Sequence, residues 1–387
     1  MNIFQGYRRE NGQIGIRNHV LVLSNVTCAN SVVEQIGWSL RRQVVALPHV
    51  YGCGQGGQDL EQTHRTLLGT AAHPNVAGVL LVSLGCETLD PEKLAEEIAI
   101  TGKPVELIRI QSEGGTRKAY QKGLKITRSL VEQAAKTTRQ PVEFSELVVG
   151  VECGGSDGYS GITANPAVGA AADLLVEAGA TVILSEVPEM IGAETLLAQR
   201  VRDEETRVRL LSAIEAWVER TRRNGIDLMG AQIQPGNWEG GLTTPEEKSL
   251  GAVLKGGTTT IQEFVDYAVH PTRKGLVIMD TPGDDVESMT GMVASGAHAI
   301  LFTTGRGSPT GHPTAPVFKI ASNSAIYSSM RYNLDYNAGA ILTGNQTIQT
   351  AGRQIFQRLI ELAGGQLTRA EKENHREFAI NTIGPRV

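Results

Sequence analysis

The chain has 387 residues, 36 of them basic and 41 acidic, with a formal net charge of −5; that length leaves room for two or three domains with ample cores. The mildly acidic balance gives no electrostatic footprint for nucleic acid or an anionic membrane, and aromatics at 5% are too sparse for a base-stacking surface. No apolar stretch approaches the ~20 residues of a membrane span and the first six residues carry no targeting pattern, so a cytoplasmic protein without nucleic-acid or membrane partners is expected.

Short β-branched runs with glycine or polar stops recur at residues 20–23, 44–47 and 79–83, followed by 104–110. Such runs read as buried parallel strands. Residues 90–101 open with Asp90-Pro91, a cap and a first-turn proline, and continue at helical spacing. Residues 116–138 read as a long amphipathic helix and 137–141 as a linker. The theme repeats with strand 147–151, helix 166–179 and strand 181–185. A charged helical stretch over 193–224 leads into a glycine-rich connector, 224–257, which is long for a structureless loop and therefore suggests function. Residues 260–269 read as helix, 275–279 as strand, 284–296 as helix, 299–303 as strand and 346–362 as a late helix. The alternation predicts an α/β fold. Two Rossmann-like, parallel-sheet domains, 1–140 and 141–387, would face a shared cleft.

All four cysteines fall in the first 153 residues, each just past an apolar run. Cys28, Cys53 and Cys86 belong to the first domain and Cys153 to the second. A lone buried cysteine commonly packs as a small hydrophobe. Four at equivalent strand ends, three beside glycine, are equally open to core packing and to a shared metal or redox site. In an open parallel sheet, ligands bind beyond the carboxyl ends of the strands. No signal peptide suggests an oxidising compartment, so disulfides are disfavoured. The histidines fit no zinc-hydrolase or zinc-finger spacing. His49, four residues before Cys53, is the best histidine candidate for ligand or base.

The segment Cys153–Gly161 joins a strand to a helix, where backbone amides attract anions, and its Ser156, Asp157 and Ser160 could hydrogen-bond sugar hydroxyls. Glu186, Glu189 and Glu194 follow the strand at 181–185. They suit either a hard cation, acid–base work, or a solvated helix start. Arg306, set between glycines after the strand at 299–303, suits bidentate capture of a carboxylate. Lys248 and Lys255 border the glycine-rich connector. A desolvated lysine there could act as a base, although each taken singly reads as a surface charge. The Gly52-Cys53-Gly54-Gln55-Gly56-Gly57 turn does not have G-x-G-x-x-G spacing, and no phosphate-loop pattern occurs, so nucleotide binding is disfavoured.

Taken in order, these motifs resemble the altronate/galactarate dehydratase family. The resemblance runs nearly end to end, through Gly15-Ile16-Arg17-Asn18, His49-x-x-Gly52-Cys53-Gly54, Leu84-Gly85-Cys86-Glu87 and Glu152-Cys153-Gly154-Gly155-Ser156-Asp157. It continues through Glu186-Val187-Pro188-Glu189, Glu247-Lys248-Ser249, Met279-Asp280-Thr281-Pro282-Gly283 and the Arg306 turn. Many members have Thr where this chain has Ile16. The resemblance implies an iron-dependent lyase that dehydrates sugar acids; relatives include the large subunit of sulfolactate sulfo-lyase, which expels sulfite. It implies iron, as Fe2+ or a 4Fe–4S cluster, on Cys53, Cys86 and Cys153 with Cys28 as a further ligand or neighbour. His49 or Lys248 would be the base, and Glu152 and Asp157 would orient hydroxyls. Arg17, Ser156, Ser160 and Arg306 complete the expected substrate contacts. Single-chain members carry a small SAF-type domain ahead of the large one. This chain starts at the large domain, so a separate small SAF subunit in an oligomer is expected. A metal-binding scaffold without chemistry of its own is the non-enzyme alternative.

Overall fold

The computed structural model describes residues 3–227 and 232–384. Strands β1 (Ile3–Arg8), β2 (Ile14–Gly15), β3 (His19–Ser24), β4 (Val45–Leu47), β5 (Val76–Ser83), β6 (Val105–Arg109) and β7 (Gln140–Glu143) arise in the first part of the chain. Four of them form a parallel sheet in the order β4-β3-β5-β6. Side chains alternate along β3. Leu21 and Leu23 face a core that includes Leu67 and Ala71 of helix Gly57–Ala72, while Val20 and Val22 face one that includes Val33 and Ile36 of helix Asn30–Leu40. Burial on both faces explains why these strands read as continuous apolar runs. Asp90 caps helix Pro91–Ile100, accepting from the main-chain N–H groups of Glu92 and Lys93, as its Asp-Pro start predicts.

The small antiparallel sheet β2-β1-β7 ties this part to the rest. Phe4, Ile14, Val142 and Phe144 pack in one core with Ile355 and Leu359 of helix Ile348–Ala363. The stretch expected to be a plain linker at 137–141 therefore runs into a strand, because Val142 and Phe144 have an apolar surface to cover.

The second sheet has seven parallel strands: β8 (Val148–Cys153), β9 (Thr181–Leu184), β10 (Ile261–Val265), β11 (Gly275–Met279), β12 (Ala299–Thr304), β13 (Val317–Ala321) and β14 (Tyr336–Asn337), in the order β10-β11-β9-β8-β12-β13-β14. Residues 260–269 were expected as helix and contain β10 instead. Ile261, Phe264 and Val265 mimic a helical face because the pairing with β11 slips between Ile261 and Glu263, a bulge that breaks period-two alternation. The connector at 224–257 holds helices Pro235–Glu239 and Pro245–Ala252 and a 3-10 turn, Val253–Gly256; its residues 228–231 lie outside the described ones.

In both sheets the chain reverses its direction of travel at one place, between β3 and β5 and between β8 and β12. Crevices at such switch points are where open α/β sheets bind ligands. Helix Gly57–Ala72 packs along helix Asp285–Ala294, and Gly69 lies so close that a Cβ there would come within 2.1 Å of the Ala294 carbonyl oxygen. Both helices start at the carboxyl end of their own sheet, and their last turns meet. The carboxyl ends of the two sheets therefore open on the same side. A late segment, residues 380–384, clasps the joint. Tyr51 Oη donates to the Ile380 carbonyl at 2.9 Å, Asp59 accepts from the N–H groups of Ile383 (2.6 Å) and Gly384 (2.7 Å), and the Asn381 N–H reaches Tyr267 Oη at 3.4 Å.

Candidate active site

The switch point of the larger sheet holds a buried cluster of acids and lysines. Glu152 and Cys153 end β8, so their side chains leave opposite faces of the sheet. On one face, Cys153 Sγ donates to Glu189 Oε2 at 3.1 Å and receives Lys255 Nζ at 3.2 Å. Lys255 also pairs with Glu186 Oε2 at 2.8 Å, and Lys248 pairs with Glu189 Oε1 at 2.8 Å. Glu186 holds its carboxylate here from a left-handed backbone, φ +67° and ψ 57°. Such a conformation costs a non-glycine residue on the order of 1–3 kcal/mol and persists where surroundings enforce it, functional sites above all. Here the enforcing contacts are the Thr281 Oγ1 that accepts from its N–H at 2.7 Å and the Cys153 N–H that donates to its carboxylate at 3.1 Å.

On the other face, Glu152 of β8, Phe302 of β12 and Lys319 of β13 stand in register across three adjacent strands. Glu152 Oε2 accepts from Ser185 Oγ at 2.8 Å and Ser288 Oγ at 2.7 Å, and the Glu152 carboxyl hydrogen-bonds to the Glu186 carboxylate. Lys319 is wholly buried. Its Nζ lies 3.1 Å from the Phe302 ring centroid and has no hydrogen-bond partner among the described residues. Asp285, first residue of helix Asp285–Ala294, completes this side. It approaches because position 154 is glycine: a Cβ there would stand 2.1 Å from Asp285 Oδ2. Asp285 is partly buried, whereas Glu152 and Lys319 are fully buried.

These environments drive the protonation states apart. Burial, then the neighbouring Glu186, pushes the Glu152 carboxyl well above its ordinary range, so it stays protonated. Burial, reinforced by Glu186, raises Asp285 to about 7. Burial lowers Lys319 to about 7 even though Asp285 and Asp335 oppose it. Glu189 behaves differently: burial would raise it, but Lys248 and Lys255 outweigh burial and hold it below its usual value. Burial and the adjacent Glu186 and Glu189 keep the Cys153 thiol protonated. Two sets of ligand atoms lie within 4.8 Å of one another, Cys153/Glu186/Glu189 and Glu152/Glu186/Asp285. Lys255 and Lys248 already supply positive charge to the first set. The second, all carboxyl, could take a hard cation.

The first sheet brings three thiols to one end. Cys28, Cys53 and Cys86 are exposed and unbridged, each beyond the carboxyl end of one of the adjacent strands β3, β4 and β5. Their loops are laced together. The Thr27 N–H donates to the Tyr51 carbonyl at 3.1 Å, and the N–H groups of Thr88 and Leu89 donate to the Gly52 carbonyl at 3.2 and 3.1 Å. Gly52, at φ +97°, sits where a Cβ would come within 2.2 Å of the Asn25 carbonyl oxygen. Only glycine lets these loops close to this extent. Cys153 does not share that setting. It is buried, and its recorded partners are Glu186, Glu189 and Lys255 of the second sheet.

The other expected site residues divide. Lys248 and Glu152 join the buried cluster. His49 lies in the first domain with both ring nitrogens engaged by main chain: Nε2 with the Ser24 carbonyl at 2.5 Å, and Nδ1 accepting from the Tyr51 N–H at 3.1 Å. Arg17 is held by Glu371 at 2.6 and 2.9 Å and by the carbonyls of Ile16, Leu362 and Gln366, which makes it a brace between distant segments. Asp157 accepts from Ser160 Oγ, Ser322 Oγ and Asn323 Nδ2, so Asp157 and Ser160 shape the loop they belong to. Ser156 is buried in the same loop, its carbonyl accepting from Asn237. Arg306 reaches the surface beside Gly155 and pairs with Glu239 at 2.6 Å.

Comparison with known proteins places this architecture. Residues 144–386 match the model of the C-terminal region of D-galactarate/altronate dehydratases, and residues 6–135 match the second domain of D-galactarate dehydratase/altronate hydrolase. The chain belongs to this dehydratase family. It is 35% identical to altronate dehydratase of Bacillus subtilis, across 98% of this chain and 78% of that protein. It is 36% identical to galactarate dehydratase (L-threo-forming) of Escherichia coli, across 94% of this chain and 73% of that one. It is 38% identical to (2R)-sulfolactate sulfo-lyase subunit beta of Chromohalobacter salexigens, across 98% and 97%. All are lyases, and so is this chain.

Two members of the cluster in this dehydratase-family lyase escaped sequence reasoning, whereas Lys255 reads from the sequence as either a desolvated base or a surface charge. Asp285 looks like a second capping residue beside Asp284. Lys319 sits in Val317-Phe318-Lys319-Ile320-Ala321, a run buried at every position. A charge inside such a run was the available signal, because lysine is almost never fully buried without a reason.

Proposed function

We propose that the chain is a hydro-lyase that removes water from a sugar acid of the altronate or galactarate class, leaving a 2-keto-3-deoxy acid. One observation supports this above the others: a carboxyl kept protonated and an amine kept near neutral share one buried sheet face, Glu152 and Lys319. Elimination beside a carboxylate needs both a base for the carbon-bound proton and an acid for the departing hydroxyl, and environments that push two groups apart in pKa assign those roles. Lys319 takes the proton beside the carboxylate. Glu152 gives its proton to the leaving hydroxyl, which departs as water, and the enol left behind tautomerises to the keto acid. Asp285, the least buried of the three, exchanges protons with solvent and resets the pair. Lys248 and Lys255, on the opposite face, are paired with Glu189 and Glu186 and balance those buried acids rather than the substrate. Arg306, on the surface side of the Gly154-Gly155 turn, captures a substrate carboxylate.

Iron belongs to the same proposal. Cys28, Cys53 and Cys86 are thiol donors on laced loops; their sulfur atoms do not all lie within 4.8 Å of one another, so thiolate ligation of a 4Fe–4S cluster, whose ligands stand further apart, suits them better than a lone ferrous ion. Iron held there would act as a Lewis acid toward substrate oxygens. We further propose a cytoplasmic assembly with a small SAF-type subunit; one relative is itself named as a subunit. A second reading, elimination of sulfite from sulfolactate, is favoured by the near full-length alignment with that sulfo-lyase subunit.

The test is anaerobic assay of the iron-loaded protein, with and without the small subunit, on altronate, galactarate and sulfolactate. Keto-deoxy acid from a sugar acid is expected. Sulfite release without turnover of either sugar acid would install the second reading, and no turnover of any of the three would overturn the substrate class.

A further inference from the structure

At the opposite ends of the strands lies a second polar recess of about 300 Å3. It is formed where His19 opens β3 and Val45 opens β4, against Ala315 just ahead of β13 and the segment 367–376. The first domain contributes Arg42 and His19, and the second contributes His312, Lys372 and Arg376. Neither Arg42, Lys372 nor Arg376 makes a side-chain hydrogen bond or ion pair among the described residues. Burial and the nearby Arg42 both lower the Arg376 pKa, which marks two guanidinium groups sharing a space without a counter-charge. Glu371 is the one carboxylate lining the recess among the described residues. Its oxygens are already taken by Arg17, at 2.6 and 2.9 Å.

His312 gives the independent sign. It is 4% exposed, and its Nε2 is buried with no partner among the described residues. Its Nδ1 faces the Thr314 N–H at 3.3 Å and accepts from it. The neutral ring must then carry its proton on Nε2. The orphaned atom is a donor, and an unmet buried donor costs about 1–3 kcal/mol. Arg42, Lys372 and Arg376 are also donors only. The side-chain acceptors left in the recess belong to uncharged groups such as His19 and Asn374, and its one carboxylate, Glu371, is spent on Arg17, so no free negative charge among the described residues answers the cations.

We propose that this recess binds a small oxyanion ligand, a phosphate or a compact polycarboxylate, at a site distinct from the elimination chemistry. Donors converge from both domains, so the ligand bridges them, and a ligand that binds only the assembled pair stabilises it by mass action. The site lies at the amino-terminal ends of β3, β4 and β13, whereas the acid–lysine cluster lies at the carboxyl ends of β8, β9 and β12. Occupancy therefore leaves the substrate pocket open.

The experiment is thermal unfolding of the full-length protein titrated with inorganic phosphate or with citrate, at ionic strength held constant with chloride. A saturable rise in Tm with phosphate, citrate or both is expected, and which anion works identifies the ligand class. Arg42→Gln, at an exposed position, and Arg376→Gln should each weaken that response by about tenfold or more without changing basal turnover. A response no greater than that of chloride, or one that is undiminished in both variants, overturns the proposal.

Discussion

Replacing Lys319 with methionine separates a working lysine from a structural one, because the two roles predict opposite changes in stability. The side chain is fully buried, and its pKa falls from the ordinary 10.5 to about 7. Between those values the unfolded chain binds a proton that the folded chain does not, so stability rises with pH across that window. A depression of this size costs the native state about 4 kcal/mol at pH 7 and about 2 kcal/mol at pH 9. Methionine has similar length and no charge. It forfeits the contact of Nζ with the Phe302 ring, which offsets roughly 0.5–2 kcal/mol of the gain. Lys319→Met should therefore be more stable than the parent by about 2–4 kcal/mol at pH 7, and that advantage should shrink by about 2 kcal/mol at pH 9. Turnover should fall by about 100-fold or more. Urea unfolding at the two pH values, with a keto-acid assay alongside, measures all three. A variant that is less stable at pH 7 and fully active would refute the reasoning.

Glu152→Gln keeps an acceptor for Ser185 and Ser288 but removes the acid, so kcat should drop by about 100-fold while the urea midpoint moves little. Lys255→Met strips the cation from buried Glu186 and Cys153, and should cost about 3–5 kcal/mol of stability, read by denaturation. Cys86→Ser should abolish iron retention with an unchanged circular dichroism spectrum; full iron content in that variant would remove the thiol proposal. Arg306→Lys should raise KM about three- to tenfold at constant kcat, because lysine lacks the planar double contact.

The alternation of apolar runs exposed the two parallel sheets, since strands buried on both faces leave an unmistakable mark. Cysteine placement pointed to the carboxyl edge of the first sheet. Glu152 and Cys153 stood at a switch point that only the strand order reveals. The hidden part was tertiary. Lys319 matters because register sets it across from Phe302 and Glu152, and register is not written into any single segment. His49 shows the converse. Its position before Cys53 suggested chemistry, whereas the main chain of Ser24 and Tyr51 occupies both nitrogens. The bulge in β10 disguised a strand as a helix for the same reason.

The clasp at residues 380–384 has a consequence for biosynthesis. These residues follow every strand of both sheets in the chain, so each half can fold during translation before the contacts that join them are made, and the joint is latched only once both sheets have been synthesised.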